Sequence, residues 1–319
     1  MIAMKYKVFV DGRTGTTGLE IHERLERHPD VETLVIPEEK RRDPEARRAF
    51  LDGADLAILC LPDSAAREAA AFAAKGKTRL IDASTAHRTA PGWAYGLPEL
   101  GAAWRNGIAG ASRVSVPGCH ATGFILALYP LVASGIVPPD APVTCHSLTG
   151  YSGGGKELIE AYQAEGRDDS CRAPRHYALG LQHKHLPEMG QWTGLTQAPL
   201  FTPIVGDFYR GMAVAVPLFG RLLTRKLSAP EIRAELAAFY AGERFVKVMP
   251  YGAELDWSDG FFNPQACNGT NRAEIFVFGR GEQILILTRF DNLGKGSSGA
   301  AVQIMNIMMG LDEGMALRE

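Results

Sequence analysis

Roughly the first 115 residues alternate short, strongly apolar segments with longer amphipathic ones. The segments "KYKVFVDG", "VETLVIP", "ADLAILCLP" and "TRLIDAS" have the composition of strands, whereas "TTGLEIHERLERHP" and "SAAREAAAFAAKGK" repeat their apolar residues at helical spacing. Apolar strands separated by helices are typical of a parallel sheet covered on both faces. The pattern therefore predicts a doubly wound α/β domain at the N-terminus.

The pattern changes close to Cys119. After the helical segment "HATGFILALYPLVASG" the strand candidates lie closer together, and "RAEIFVFGRG" followed by "EQILILTRFDN" predicts a hairpin around Arg280-Gly281-Glu282. A chain of 319 residues favours two domains, since single cores stop growing at about 250–300 residues. We therefore expect a Rossmann domain over residues 1–118 and an α+β domain with a mixed or antiparallel sheet over residues 119–291.

The bulk composition excludes several classes of partner. A formal net charge of −2 gives no basic field for nucleic acid or for an anionic membrane. The five cysteines form no CxxC pair, so neither a disulfide framework nor a structural metal site is expected. The N-terminus does not have the pattern of a signal peptide, and no apolar run approaches about 18 residues. The composition predicts a cytoplasmic protein with no membrane or nucleic-acid partner.

A glycine-rich loop, "DGRTGTTG", joins the first predicted strand to the first predicted helix. Its glycines are Gly12, Gly15 and Gly18. Glycines at this place let the backbone turn tightly and approach a pyrophosphate at the helix N-terminus. After the second strand, "PEEKRRDP" offers both acidic residues for ribose hydroxyls and arginines for a 2′-phosphate. The loop predicts a dinucleotide, and Arg41 and Arg42 favour NADP(H) over NAD(H).

Two residues compete for the role of nucleophile. Cys119 follows Pro-Gly and precedes a helix, where the helix dipole favours a thiolate, although an inert buried thiol has the same local pattern. Ser152 lies in "GYSGG", which matches the GxSxG elbow of serine hydrolases between a strand and a helix. His183 and His185, in "HKHLPE", can serve either nucleophile as acid or base. The hydrolase hypothesis leaves the N-terminal glycine loop unexplained.

Four motifs, "VPGCHATG", "YGLPEL", "HKHLPE" and "DNLGKGSSGAAVQIMNIMMGLDE", together resemble the shorter-chain (type 2) branch of the N-acetyl-γ-glutamyl-phosphate reductase family. The resemblance covers nearly the whole chain. It implies that Cys119 is the nucleophile and that His183 or His185 is the acid/base, without deciding between them. It also implies that the last helix, about residues 292–319, completes the first domain.

The resemblance and the local chemistry together give a set of candidate binding residues. Those expected at the cofactor are Gly12, Arg13, Thr14, Gly15, Thr17, Gly18, Ser84 and Asn292. Those expected at the substrate are Arg88, Arg113, Ser152, Arg175 and Glu188, with Arg172 as a further arginine suited to a carboxylate or phosphate. No resident metal is expected.

The activity implied by the resemblance is NADPH-dependent reduction of an acyl phosphate, N-acetyl-γ-glutamyl phosphate, through a cysteinyl thioester, in a dimeric or tetrameric enzyme of arginine biosynthesis. Three alternatives stay open at this point. A related reductase such as aspartate-semialdehyde dehydrogenase shares the fold and mechanism, a serine hydrolase uses Ser152, and a non-catalytic NADP-binding protein needs only the glycine loop.

Overall fold

A computed structural model describes residues 5–13, 15–252 and 260–319. The contacts between its residues group into two compact units. Unit 1 comprises the residues up to Pro117 together with Ser297–Arg318, and unit 2 comprises Gly118–Gly296 with Glu319. Thr14, one of the predicted cofactor-binding residues, lies outside the described residues.

Unit 1 is a six-stranded parallel sheet with helices. Its strands are β1 (Tyr6–Asp11), β2 (Val31–Leu34), β3 (Leu56–Leu59), β4 (Arg79–Asp82), β5 (Ala94–Tyr95) and β6 (Arg113–Ser115). Its helices are α1 (Thr16–Leu25), α2 (Pro44–Asp52), α3 (Asp63–Phe72), α4 (Ala102–Gly110) and, from the C-terminal end of the chain, α9 (Gly299–Met309). The strand order is β2-β1-β3-β4-β6-β5, with every described pair parallel.

This strand order explains the place of the glycine loop. The first crossover runs from β1 to β2 on one side, and the second returns from β2 past β1 to β3 on the other side, so the direction of winding reverses between β1 and β3. In open α/β sheets, ligands bind at the carboxyl ends of the strands at such a switch point. Helix α9 is buried from Gly299 to Met308 and shares one apolar core with β1, β3 and α1.

Unit 2 contains the mixed sheet predicted from the sequence. Its helices are α5 (Cys119–Ala133), α6 (Gly155–Gln163), α7 (Leu186–Thr193) and α8 (Ala229–Phe239). Its strands are β7 (Thr144–Gly150), β8 (Arg175–His176), β9 (Leu200–Gly206), β10 (Met212–Phe219), β11 (Val246–Val248), β12 (Ala273–Arg280) and β13 (Gln283–Phe290). They are ordered β11-β12-β13-β10-β7-β9-β8.

The predicted hairpin is confirmed, because β12 and β13 are antiparallel and Arg280 pairs with Gln283 across a two-residue turn. Gly281 has φ +60°, a left-handed conformation that suits glycine in such turns. The two units together confirm the predicted class, a doubly wound α/β domain followed by an α+β domain.

Helices α5 and α8 pack on the same face of the mixed sheet, against the sides of β10 and β12 that carry Val214 and Gly279. Of the helices that the structure describes, none combines the length and the apolar character needed to cross a membrane.

Candidate active site

Cys119 is the first residue of α5 and is half-buried. The turn before it is extended at Gly118, whose carbonyl accepts hydrogen bonds from the backbone N–H and the hydroxyl of Thr122, at 2.8 and 3.1 Å. The rest of the first turns of α5 is buried, so the helix is held firmly while its N-terminal thiol stays accessible. The positive end of the helix dipole favours an anionic sulfur at this position.

The glycine at position 296 makes room for this thiol. A Cβ atom added to Gly296 would lie 2.9 Å from the Cβ atom of Cys119, closer than side-chain carbons normally approach. Its backbone N–H donates to the carbonyl of Asp291 at 3.0 Å, which fixes the loop against the nucleophile. This residue belongs to the "DNLGKG" motif, and its role was not predicted from the sequence.

The two histidines of "HKHLPE" lie beside the nucleophile. His185 is buried and directly precedes α7, and His183 is half-buried with its ring centroid 4.7 Å from that of His185. The backbone N–H of His185 donates to Nδ1 of His183 at 3.1 Å. One ligand atom each of Cys119, His120 and His185 lies within 4.8 Å of the other two. The structure therefore brings the three predicted catalytic residues together in one pocket.

His120, a weaker acid/base candidate from the sequence than His183 and His185, lies in the same pocket. It is buried, its Nδ1 lies 2.7 Å from the hydroxyl of Ser147, and its Nε2 lies 2.7 Å from the hydroxyl of Tyr177. Burial, together with the charges of His183 and Lys184, lowers the pKa of His120 to about 3. A neutral imidazole with both nitrogens in hydrogen bonds is a fixed polar link and is not an acid/base.

Tyr177 lies at the edge of the same pocket. Burial raises the pKa of its hydroxyl, and the negative charge of a Cys119 thiolate adds to the effect. Its ring centroid is 5.9 Å from that of His183. Tyr177 therefore stays protonated and acts as a neutral hydrogen-bonding group near the sulfur. Adjacency to Cys119 was the sequence signal for His120, whereas Tyr177 carried none.

Glu188 connects the two helices of the site. Its carboxylate is buried, and Oε2 accepts a hydrogen bond of 3.1 Å from the backbone N–H of Gly118. Because Glu188 lies in the first turn of α7 and Gly118 directly precedes Cys119, this bond fixes the start of α7, with His185, against the start of α5.

Ser152 has a different environment. Its hydroxyl is buried and accepts a hydrogen bond of 3.0 Å from Nδ2 of Asn292, whose Oδ1 accepts another from the backbone N–H of Gly211 at 2.9 Å. Meanwhile the rings of His183 and His185 lie against His120. The geometry favours Cys119 over Ser152 as the nucleophile and gives Ser152 and Asn292 a role in holding one loop to another.

The glycine loop in unit 1 shows what its glycines do. Gly12 has φ +93°, and a Cβ there would lie 2.2 Å from the carbonyl oxygen of Cys60, while one at Gly18 would lie 2.4 Å from the carbonyl oxygen of Gly12. A Cβ at Gly15 would make only an ordinary contact of 3.7 Å. The fold therefore requires the outer two glycines, while the bare backbone at Gly15 fits the close approach of a phosphate.

The other predicted cofactor residues of unit 1 have local partners. Thr17 contacts the hydroxyl of Ser297 at 3.1 Å, and Nη1 of Arg13 lies 3.5 Å from the ring of His22. The hydroxyl of Ser84 donates to Asp82, at the end of β4, at 2.8 Å. The roles of these residues toward a cofactor stay predictions.

The predicted substrate arginines lie in different surroundings. In unit 1, Arg88 is buried and donates from Nε to the carbonyl of Val116 at 3.0 Å, and the guanidinium of Arg113 lies 5.8 Å from the ring centroid of Trp93. In unit 2, the guanidinium of Arg175 lies over the ring of Tyr162 and donates to its hydroxyl at 3.2 Å. Arg172 is exposed and pairs with Asp169 at 3.1 Å.

Comparison with known proteins first gives the class. The family model described as semialdehyde dehydrogenase, NAD binding domain, matches residues 7–105, and the one described as semialdehyde dehydrogenase, dimerisation domain, matches residues 119–292. A solved structure of aspartate semialdehyde dehydrogenase II from Vibrio cholerae superposes with a TM-score of 0.72 at 15% identity, covering 96% of this chain and 99% of that one. The fold is that of the semialdehyde dehydrogenases.

Within that class, curated relatives are much closer in sequence. N-acetyl-gamma-glutamyl-phosphate reductase 2 of Nostoc sp. is 46% identical over 98% of this chain and 99% of its own length. The reductase of Chelativorans sp. is 47% identical over 96% of this chain and 99% of its own length, and reductase 2 of Pseudomonas putida is 46% identical over 95% and 96%. The chain belongs to the N-acetyl-γ-glutamyl-phosphate reductase family, which confirms the predicted resemblance.

Proposed function

We propose that this protein reduces N-acetyl-γ-glutamyl phosphate to N-acetylglutamate 5-semialdehyde and phosphate with NADPH, as a step of arginine biosynthesis in the cytoplasm. The observation that carries the chemistry is the grouping of Cys119 and His185 within 4.8 Å at the start of two helices joined by Glu188. The names of the relatives that are 46–47% identical support the substrate.

The thiolate of Cys119 attacks the acyl carbon of the substrate, the C–O bond to the phosphate breaks, and a thioester forms. Backbone N–H groups at the start of α5 stabilise the oxyanion of the tetrahedral intermediate. NADPH, when bound to the glycine loop of unit 1, supplies the hydride that reduces the thioester. The open backbone of Gly15 supports this assignment of the cofactor site.

We assign the acid/base role to His185. It is buried with a ring atom within 4.8 Å of the sulfur, whereas His183 is more exposed and its Nδ1 accepts a hydrogen bond from the backbone of His185. His185 takes the thiol proton before the attack and later protonates the thiolate that departs as the aldehyde forms. His183 orients His185 through that hydrogen bond and through the contact between their rings.

Among the predicted substrate arginines, Arg175 is the strongest candidate in unit 2. It lies on β8 only two residues before Tyr177, and its hydrogen-bond partners are the hydroxyls of Tyr162 and Ser170, at 3.2 and 3.3 Å, with the carboxylate of Asp168 nearby. A half-buried guanidinium held by hydroxyls can turn toward the carboxylate or phosphate of a substrate at low cost. Arg88 and Arg113 are candidates for the same role from unit 1.

We propose that the protein is a homodimer or a tetramer built on the face of the mixed sheet opposite α5. Half-buried apolar side chains meet across neighbouring strands on that face, with Ala215 paired with Leu287 and Pro217 with Leu285. The match of residues 119–292 to a dimerisation domain supports this surface. Leu287→Arg is expected to shift the sedimentation coefficient to that of the monomer.

The test runs the reaction in reverse, with N-acetylglutamate semialdehyde, phosphate and NADP⁺ as substrates. Cys119→Ala should lower kcat/KM by at least about 10³-fold, and the matched control Cys171→Ala, at a buried cysteine that clusters with Tyr162 and Val205, should stay near the wild type. Activity with aspartate semialdehyde alone would reassign the substrate. Full activity in Cys119→Ala would refute the thioester mechanism, and a parallel run with NAD⁺ tests the preference for NADP(H).

A further inference from the structure

The pocket around the nucleophile has the donor set of a zinc site. Cys119, His120 and His185 each present a ligand-type atom, and these atoms lie within 4.8 Å of one another. Thiolate and imidazole are the ligands that Zn²⁺ prefers in proteins, and three protein ligands with one open position are typical of accessible zinc sites. No resident metal was expected from the sequence, but the fold brings the first two residues of α5 beside the histidines of "HKHLPE".

The spacing of the rings fits tetrahedral coordination. With Zn–N and Zn–S bonds of about 2.0–2.3 Å, neighbouring ligand atoms lie about 3.3–3.6 Å apart, so the atoms found within 4.8 Å need to close by about an ångström. Imidazoles on one tetrahedral zinc have ring centroids about 5.2 Å apart by the same geometry. The centroid distances are 5.4 Å for His120–His185, 4.7 Å for His183–His185 and 5.5 Å for His120–His183.

Binding has a defined cost at His120. Both of its ring nitrogens already lie 2.7 Å from hydroxyls, so one of these hydrogen bonds must break before that nitrogen can bind a metal. Nε2 is hydrogen-bonded to the hydroxyl of Tyr177, and the pKa of that hydroxyl is raised in part by the charge of Cys119. The hydrogen bond to Tyr177 is therefore the one that metal binding displaces. This cost makes the site reversible, in contrast to a closed structural zinc site.

We propose that Cys119, His120 and His185 form an inhibitory Zn²⁺ site, with His183 or a water molecule as the fourth ligand. Zn²⁺ displaces the proton of the Cys119 thiol, the sulfur lone pair binds the metal, and the proton passes to solvent. The sulfur is then unable to attack an acyl phosphate, so zinc inhibits in competition with substrate. The inhibition rests on the proposed function, whereas the metal site does not depend on it.

The test measures binding without catalysis. Co²⁺, a spectroscopic substitute for Zn²⁺, should give one equivalent of binding per chain with a thiolate-to-metal charge-transfer band, and Zn²⁺ should displace it. Cys119→Ser should abolish the band, and His120→Phe and His185→Gln, which each remove a direct ligand, should each weaken Zn²⁺ binding by at least the roughly 100-fold that loss of an outer-shell partner can cost. The matched control His146→Gln, at an exposed histidine that contacts Thr202, should bind like the wild type.

The outcomes separate the two hypotheses. A cobalt–thiolate band together with an inactive reductase would support the metal site and count against the proposed function. Binding that persists in Cys119→Ser, or that is unchanged in His120→Phe, would overturn the site. If His120→Phe fails to fold, the alkylation of Cys119 by iodoacetamide is measured instead, in the wild type and in His185→Gln. Zn²⁺ should slow alkylation in the wild type and have less effect in His185→Gln. Equal alkylation rates with and without Zn²⁺ in the wild type would overturn the site.

Discussion

Replacing Gly296 by alanine tests how tightly the fold positions the nucleophile. The new Cβ would lie 2.9 Å from the Cβ of Cys119 and 3.3 Å from both the carbonyl oxygen of Asp291 and the ring of Phe290. The favourable van der Waals separation of two carbon atoms is about 3.5–4.0 Å, so Cys119 or the loop must move by about 0.6–1.1 Å. The other two contacts leave the loop little space to retreat, and the displacement therefore falls largely on Cys119.

The size of the effect follows from that displacement. A misplacement of about 1 Å at a reacting group costs on the order of 100-fold in rate, or about 2.7 kcal/mol of barrier. Overpacking of a buried site typically costs a further 1–3 kcal/mol of stability. We therefore expect kcat/KM of Gly296→Ala to fall about 100-fold, while the protein still folds with a lowered Tm.

The matched control is Gly190→Ala. Gly190 lies inside α7, the helix that carries Glu188, and a Cβ there would meet nothing within 4 Å. Alanine in a helix interior is better than glycine by roughly 0.5–1 kcal/mol, so this variant should be as active as the wild type and slightly more stable. The assay is steady-state reduction of NADP⁺ beside thermal unfolding. A Gly296→Ala enzyme within about threefold of the wild type would refute the claim that this glycine sets the position of the thiol.

Three further predictions concern other parts of the molecule. Gly12→Ala places a side chain at φ +93° against a backbone oxygen, so the Kd for NADPH, measured by fluorescence titration, should rise at least about tenfold. Arg47→Met leaves the buried carboxylate of Asp11 without its 2.8 Å partner and should lower the free energy of unfolding in urea by about 3–5 kcal/mol, whereas exposed Arg48→Met should change it by less than about 0.5 kcal/mol. Because burial lowers the pKa of His120 to about 3 in the folded state, the unfolded state binds more protons below its ordinary value of 6.5, and stability should fall as the pH drops from 6.5 toward 3. His120→Phe should flatten that slope, and an unchanged slope would contradict the assignment.

Local sequence patterns were sufficient for four of the six strands of unit 1 and for the candidacy of Cys119, although they did not decide between Cys119 and Ser152. Strands β1 and β3 are mainly buried and apolar while helices α1 and α3 bury residues at helical spacing, and these periodicities depend only on neighbours along the chain. Cys119 was recognisable as a candidate nucleophile because its signals lie in short continuous segments of the sequence. These signals are a helix start, a preceding Pro-Gly and the "HKHLPE" motif. The family resemblance then rested on motifs of the same local kind.

The contacts that complete the site are of another kind. His120 bonds to Ser147, 27 residues away, and to Tyr177, 57 residues away. Gly296 lies against Cys119 only because the chain returns after β13. Nothing in the sequence around Tyr177 or Gly296 encodes these partners, since they are set by how the strands of the mixed sheet are ordered. A helix-start histidine next to a nucleophile has the same sequence pattern whether it is a base, a ligand or a fixed hydrogen-bonding link.

The crowding of three imidazoles in one pocket divides their roles. Rings 4.7–5.5 Å apart cannot all be protonated at neutral pH, because each positive charge disfavours the next. Burial and the charge of His183 keep the proton off His120, which is held between two hydroxyls. On the proposed function, the mobile proton of the reaction is therefore left to His183 and His185, and of these two it is His185 that has a ring nitrogen within 4.8 Å of the sulfur. In the proposed mechanism His120 thus helps catalysis by staying neutral, and the same neutrality suits its nitrogens to the proposed metal site.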